Sequence, residues 1–175
     1  YMDDLINLTI SEKKGEFNIP TIIRVNNETT ADEFLSVLDE KYIEYVNENN
    51  EIITCRLKKI NFKLNSIFFR FVNNKINHID ISIYDEKNVG WENWSIESIK
   101  KDLDTQNQWL KKNLSSAPIA VKCGDTTRIN YKFDWGTIES GYDPRDGRVA
   151  IDIDYYDKID SNFNKFNFLN IFKSL

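Results

Sequence analysis

Carboxylates are the most abundant reactive groups in the last third of this chain, where Asp143, Asp146, Asp152, Asp154, Asp157 and Asp160 crowd together. Asp152 and Asp154 alternate with Ile151 and Ile153. That spacing puts both acids on one face of a strand, as an acid pair or a cation site. Glycosidase chemistry asks for more: one carboxyl raised in pKa by a pocket, facing its partner across a cleft. Outward residues on an alternating strand are ordinarily solvated, with an acidic partner-binding face as the next reading. The one histidine, His78, falls on the polar side of Ile76–Tyr84, out of phase with Ile79 and Ile81. It reads as a surface residue. No Cys or Ser motif accompanies it, so a Cys–His or Ser–His nucleophile has no support. One His and two distant cysteines, Cys55 and Cys123, lack the close ligand pair of a zinc site. Asp143-Pro144-Arg145-Asp146-Gly147 lacks the ligand series of a calcium loop; Pro144 and Gly147 make it a turn. The six glycines form no phosphate-cradling loop. No catalytic residue, metal or cofactor is expected.

The elements that would position these groups can be read from periodicity. Phe17–Val25 reads as a strand with Pro20 near its start. Thr30 and Glu33 have capping-box spacing, and Phe34, Leu35, Leu38 and Tyr42 continue as a helix of about three turns. From Glu51 to Tyr84 the period changes to two. Ile60, Phe62 and Leu64 alternate with polar residues, Asn65-Ser66 turns the chain, and Ile67, Phe69 and Phe71 follow. After a tight Asn73-Asn74 turn, Ile79, Ile81 and Ile83 complete an antiparallel meander. Ser95 caps a second helix with Glu97 in its first turn and Ile96, Ile99, Leu103, Leu110 and Leu114 as its core stripe. Ile129, Tyr131, Phe133 and Trp135 form one strand, and Val149, Ile151, Ile153 and Tyr155 its hairpin partner. Trp91, Trp94, Trp109 and Trp135 read as packing residues for helix on sheet. The apolar tail from Phe163 to Leu175 reads as a stripe docking on the sheet.

The expected fold class is therefore α+β: an antiparallel sheet, meander plus C-terminal hairpin, packed against two main helices. All 175 residues suit one domain, with a strand–helix–meander half over 1–90, a helix–hairpin half over 91–157 and an apolar tail over 158–175. Lys and Arg number 23 against 28 Asp and Glu, a net charge of -5. Nucleic acid is a poor partner for such a chain, because phosphate neutralisation needs a basic patch. A basic protein fits better. No apolar run approaches the roughly 20 residues of a membrane span. Tyr1-Met2-Asp3-Asp4 is acidic where a signal peptide is basic, so the expected compartment is the cytoplasm, with Cys55 and Cys123 as reduced core thiols.

Two stretches carry a resemblance. Trp91-Glu92-Asn93-Trp94-Ser95-Ile96-Glu97 with Trp109-Leu110 is one. Trp135-Gly136-Thr137-Ile138-Glu139-Ser140-Gly141-Tyr142-Asp143-Pro144-Arg145-Asp146-Gly147, followed by Ile151-Asp152-Ile153 and Tyr155, is the other. Together they resemble a small bacterial family of immunity proteins, partners of contact-delivered or polymorphic toxins. The first half separately resembles the helix-then-meander unit of β-lactamase-inhibitor-like and outer-membrane-assembly lipoprotein domains. Both resemblances imply protein binding. The expected function is stoichiometric inhibition of a cognate toxin domain, with a basic nuclease as the partner that suits the charge. Expected contacts are Glu139, Tyr142, Asp143, Arg145, Asp146, Arg148, Asp152 and Asp154. A carboxylate-dependent glycan hydrolase and an envelope or structural interaction module are the alternatives.

Overall fold

The computed structural model describes residues 8–58, 64–83, 95–124, 126–143 and 147–156. Within them the strands are β1 (Thr9–Ser11), β2 (Glu16–Ile19), β3 (Ile23–Val25), β4 (Ile43–Asn49), β5 (Ile52–Leu57), β6 (Leu64–Val72), β7 (Lys75–Ile83), β8 (Ile119–Cys123), β9 (Thr126–Phe133), β10 (Gly136–Asp143) and β11 (Arg148–Tyr155). Helix α1 (Ala31–Val37) lies between β3 and β4, and α2 (Ile96–Asn113) between β7 and β8. Strands β1–β3 make a small antiparallel sheet; the other eight pair in the order β4-β5-β6-β7-β11-β10-β9-β8. This is the expected α+β class. Its sheet is larger than the meander and hairpin anticipated.

Each departure has a local cause. Phe17–Val25 is a hairpin rather than one strand. Pro20 presets φ for a turn, Thr21 takes a φ of 65°, and the Ile22 N–H donates to the Ile19 carbonyl at 3.0 Å. Buried Ile19 and Ile23 stand four apart, so the alternation runs through the turn without a break. The same thing happens at Asp134-Trp135. Trp135 keeps the odd-numbered phase of Ile129, Tyr131 and Phe133, yet Phe133 already pairs with Gly136 across a two-residue turn. Conversely, Asn65-Ser66 is not a turn. The register shifts between Leu64 and Ser66 inside β6, which carries one extra residue there against β7. Edge strands β4 and β8 are exposed along almost their whole length, Ile119 and Val121 of β8 included.

Other expectations hold. Thr30 and Glu33 form the reciprocal capping box, although α1 stops after seven residues, with Leu38 as its C-cap. Asn73 and Asn74 adopt φ of 50° and 61°, the tight-turn conformation. Ser95 caps α2 and exchanges hydrogen bonds with Ser98. Ile99, Leu103, Trp109, Leu110 and Leu114 are buried on its core side. Buried Gln106 meets the Ser140 hydroxyl at 3.3 Å, so the polar pair under the helix is satisfied. Cys55 is a buried free thiol, which burial pushes up to about 11. Cys123 is also free but exposed, so only one thiol belongs to the core. Trp91, Trp94 and the tail beyond Tyr156 lie outside the described residues.

One face of the large sheet is apolar. Ile79, Ile81, Ile138, Ile151 and Ile153 line it and join Phe17, Phe34 and Phe69 in the main core. The Phe34 ring lies 4.7 Å from Phe69 and 5.1 Å from Phe71, tying α1 to the meander. At the other end Trp135 stacks on Phe133 at 5.0 Å and tilts against Tyr155 at 5.5 Å. Its indole N–H donates to the Glu12 carbonyl at 2.6 Å, and the Tyr155 hydroxyl donates to the Gly15 carbonyl at 2.7 Å. Gly15 has a φ of 60°, and a Cβ there would sit 2.4 Å from the Trp135 ring. Only glycine meets both conditions.

Trp135→Ala is therefore expected to cost about 3–5 kcal/mol in urea unfolding, as large-to-small aromatic changes in cores do. Gly15→Ala should also destabilise, through strain and clash rather than a cavity. Near-native midpoints for both variants would mean that the ring is not a core element.

Candidate functional site

The opposite face of β9, β10, β11 and β7 gathers the charges. Antiparallel register sets Asp152 directly across from Asp80, and Asp154 across from His78. On the other side of β11, Asp152 faces Glu139. Directly opposed residues share a face, with Cβ atoms about 4.5–5.5 Å apart. Two polar i, i+2 pairs from distant parts of the sequence, His78/Asp80 and Asp152/Asp154, thus close into a square.

Inside this square His78 is the hub. Its Nδ1 lies 2.7 Å from Asp154 Oδ1 and its Nε2 lies 3.4 Å from Asp152 Oδ1. Its side chain is only 21% exposed, so the isolated surface residue expected from sequence is a half-buried centre of contacts. Asp80 is buried and paired with Arg148, whose Nη1 meets Asp80 Oδ2. Arg128 pairs with Glu139 at 3.1 Å. It reaches this acid by lying across Gly141, where a Cβ would come 3.1 Å from Arg128 Nε. Burial raises the Asp152 carboxyl above its ordinary value of 3.8. The neighbours His78 and Arg148 pull it down, Asp154 and Glu139 push it further up, and burial prevails.

Of the contacts expected from sequence, Glu139, Arg148, Asp152 and Asp154 meet on this face, with Asp143 paired in register to Arg148 at its rim. Tyr142 lies elsewhere: its ring packs on the helix side with Ile99, Leu103 and Val149. Arg145 and Asp146 lie outside the described residues. Sequence pattern alone does not mark His78, Asp80 and Arg128 as contacts. The i, i+2 spacing of His78 and Asp80 on a polar strand face was the available signal. What joins them to Asp152 is a long-range pairing that no local pattern encodes. His78, Asp80 and Asp152 each place a ligand atom within 4.8 Å of the others. The face can hold a cation, bind a basic group or hold a proton on a carboxylate.

No protein-family profile and no curated protein matches the sequence. The fold is similar to that of a chain in the solved structure of Rhs1-CT in complex with cognate immunity protein RhsI1. The TM-score is 0.55 at 15% identity, over 93% of this chain and 97% of that one.

The raised Asp152 pKa has a stability signature. A carboxyl with a folded pKa above its unfolded value stabilises the fold at low pH, and that contribution is lost as pH rises through the folded pKa. At neutral pH the ionised Asp152 is a net cost. Asp152→Asn should therefore be more stable than the parent at pH 7, with the advantage shrinking as pH falls below the raised value. Equal urea midpoints for the two proteins at every pH would contradict this account.

Proposed function

We propose that this chain is an immunity protein, a non-enzymatic inhibitor that binds the toxin domain encoded beside it and covers the toxin's active site. The observation that carries the reading is the likeness in fold to a chain of the Rhs1-CT–RhsI1 complex, which runs nearly end to end in both chains. The resemblance of the Trp91–Tyr155 stretch to immunity proteins supports it independently. The net charge of -5 suits a basic partner such as a nuclease, since opposite charge steers encounter. The inhibitor would act in the cytoplasm of a cell exposed to a contact-delivered toxin. Its contacts would come from the charged sheet face, Glu139, Asp143, Arg148, Asp152 and Asp154, with Arg145 and Asp146 in the adjoining turn.

Expression of this chain alone should be harmless, and co-expression with the neighbouring toxin gene should restore growth. The purified pair should associate quickly at low salt and more slowly as salt rises, because exposed charges are screened over about 10 Å at 0.1 M. Reversing Asp152 and Asp154 to Lys should slow association and weaken protection while circular dichroism stays unchanged. Growth arrest caused by this chain alone would place it on the Rhs1-CT side of such a pair. Absence of binding at low salt would sink the inhibitor reading.

A further inference from the structure

We infer that the β7–β11 square is a divalent transition-metal site with His78 Nε2, Asp80 and Asp152 as ligands. The inference does not depend on the inhibitor reading. It begins with the tautomer of His78. The shorter contact, 2.7 Å, joins Nδ1 to a carboxylate oxygen of Asp154, which can only accept. In the neutral ring the proton therefore sits on Nδ1. That leaves the Nε2 lone pair aimed at Asp152 Oδ1, 3.4 Å away, another acceptor. A separation of 3.4 Å is one that two ligands of the same metal ion can take.

The surroundings match what a metal site needs outside its ligands. A ligating histidine ordinarily donates its other N–H to a carboxylate, which fixes the ring and raises its basicity; Asp154 holds that position. Ligating carboxylates are themselves held, and Arg148 pairs with Asp80 through Oδ2. The three ligand atoms already lie within 4.8 Å of one another. Ligand bonds of about 2.0–2.2 Å draw such atoms somewhat closer, which needs side-chain rotation alone. The backbone is preorganised, because all three ligands stand on two hydrogen-bonded central strands. One imidazole with two carboxylates, and water completing the shell, selects zinc or manganese over magnesium and calcium, which take oxygen-only shells.

The test is calorimetric titration of the metal-free protein with Zn²⁺ and Mn²⁺, with Mg²⁺ as control. One saturable site per chain is expected for zinc. It should be lost in His78→Gln and in Asp152→Asn, and weakened about tenfold or more in Asp154→Asn, which removes only the orienting acceptor. Glu139→Gln and Cys123→Ser should bind as the parent does. In the unaltered protein, Mn²⁺ should broaden amide signals at 78–80 and 152–154 before any others, a readout that does not depend on a variant folding. Lack of saturable binding would overturn the assignment, as would zinc binding that survives His78→Gln. A ¹⁵N spectrum with both His78 nitrogens protonated at saturating zinc would replace the metal site with an imidazolium bridging two acids.

Discussion

Eight strands become one sheet because β7 pairs with β11. Each of the two blocks, β4–β7 and β8–β11, is a run of antiparallel neighbours in chain order. Registering Ile79 and Ile81 against Ile153 and Ile151 makes the two apolar faces continuous. Helix α2, the link between the blocks, then lies over the seam, in contact with β7, β10 and β11.

The same register acts on both faces of the seam. With a side-chain period of two, the choice that buries four isoleucines on one side fixes His78, Asp80, Asp152 and Asp154 on the other. The charged square is thus a by-product of core registration as well as a candidate site. A slip of one residue would expose the isoleucines and bury the acids. The site is consequently as rigid as the core beneath it, unlike a site carried on loops.

Much of this was legible in the sequence. The capping residues Thr30 and Ser95, the Asn73-Asn74 turn and the alternation of Val149 to Tyr155 are local signals, and the structure keeps each of them. Where pattern and structure part, alternation reports phase and not direction. Ile19 to Ile23 and Phe133 to Trp135 keep phase through a reversal of the chain, whereas Leu64 to Ile67 loses phase without one. Edge strands β4 and β8 bury little and leave almost no pattern. The two halves of the square were each visible as i, i+2 pairs on polar faces. Their meeting was not, because it depends on pairing across more than 70 residues. Tyr142, on the helix side, shows that neighbours in sequence along a strand alternate between core and site.

The clamp of Gly15, Trp135 and Tyr155 has a bearing on the order of assembly. Its hydrogen bonds span sequence separations of 123 and 140 residues. Closing loops of that length costs chain entropy before the contacts return anything. The hairpins within each block, by contrast, close over a few residues and form on the microsecond scale. Arrival of the β1–β3 sheet against the far end of β11 is therefore a late event, after the sheet it docks on has formed. Trp135 sits at that junction. Its fluorescence would report completion of the fold rather than its nucleation, and the segment around Glu12 and Gly15 would be among the first to detach when the protein opens.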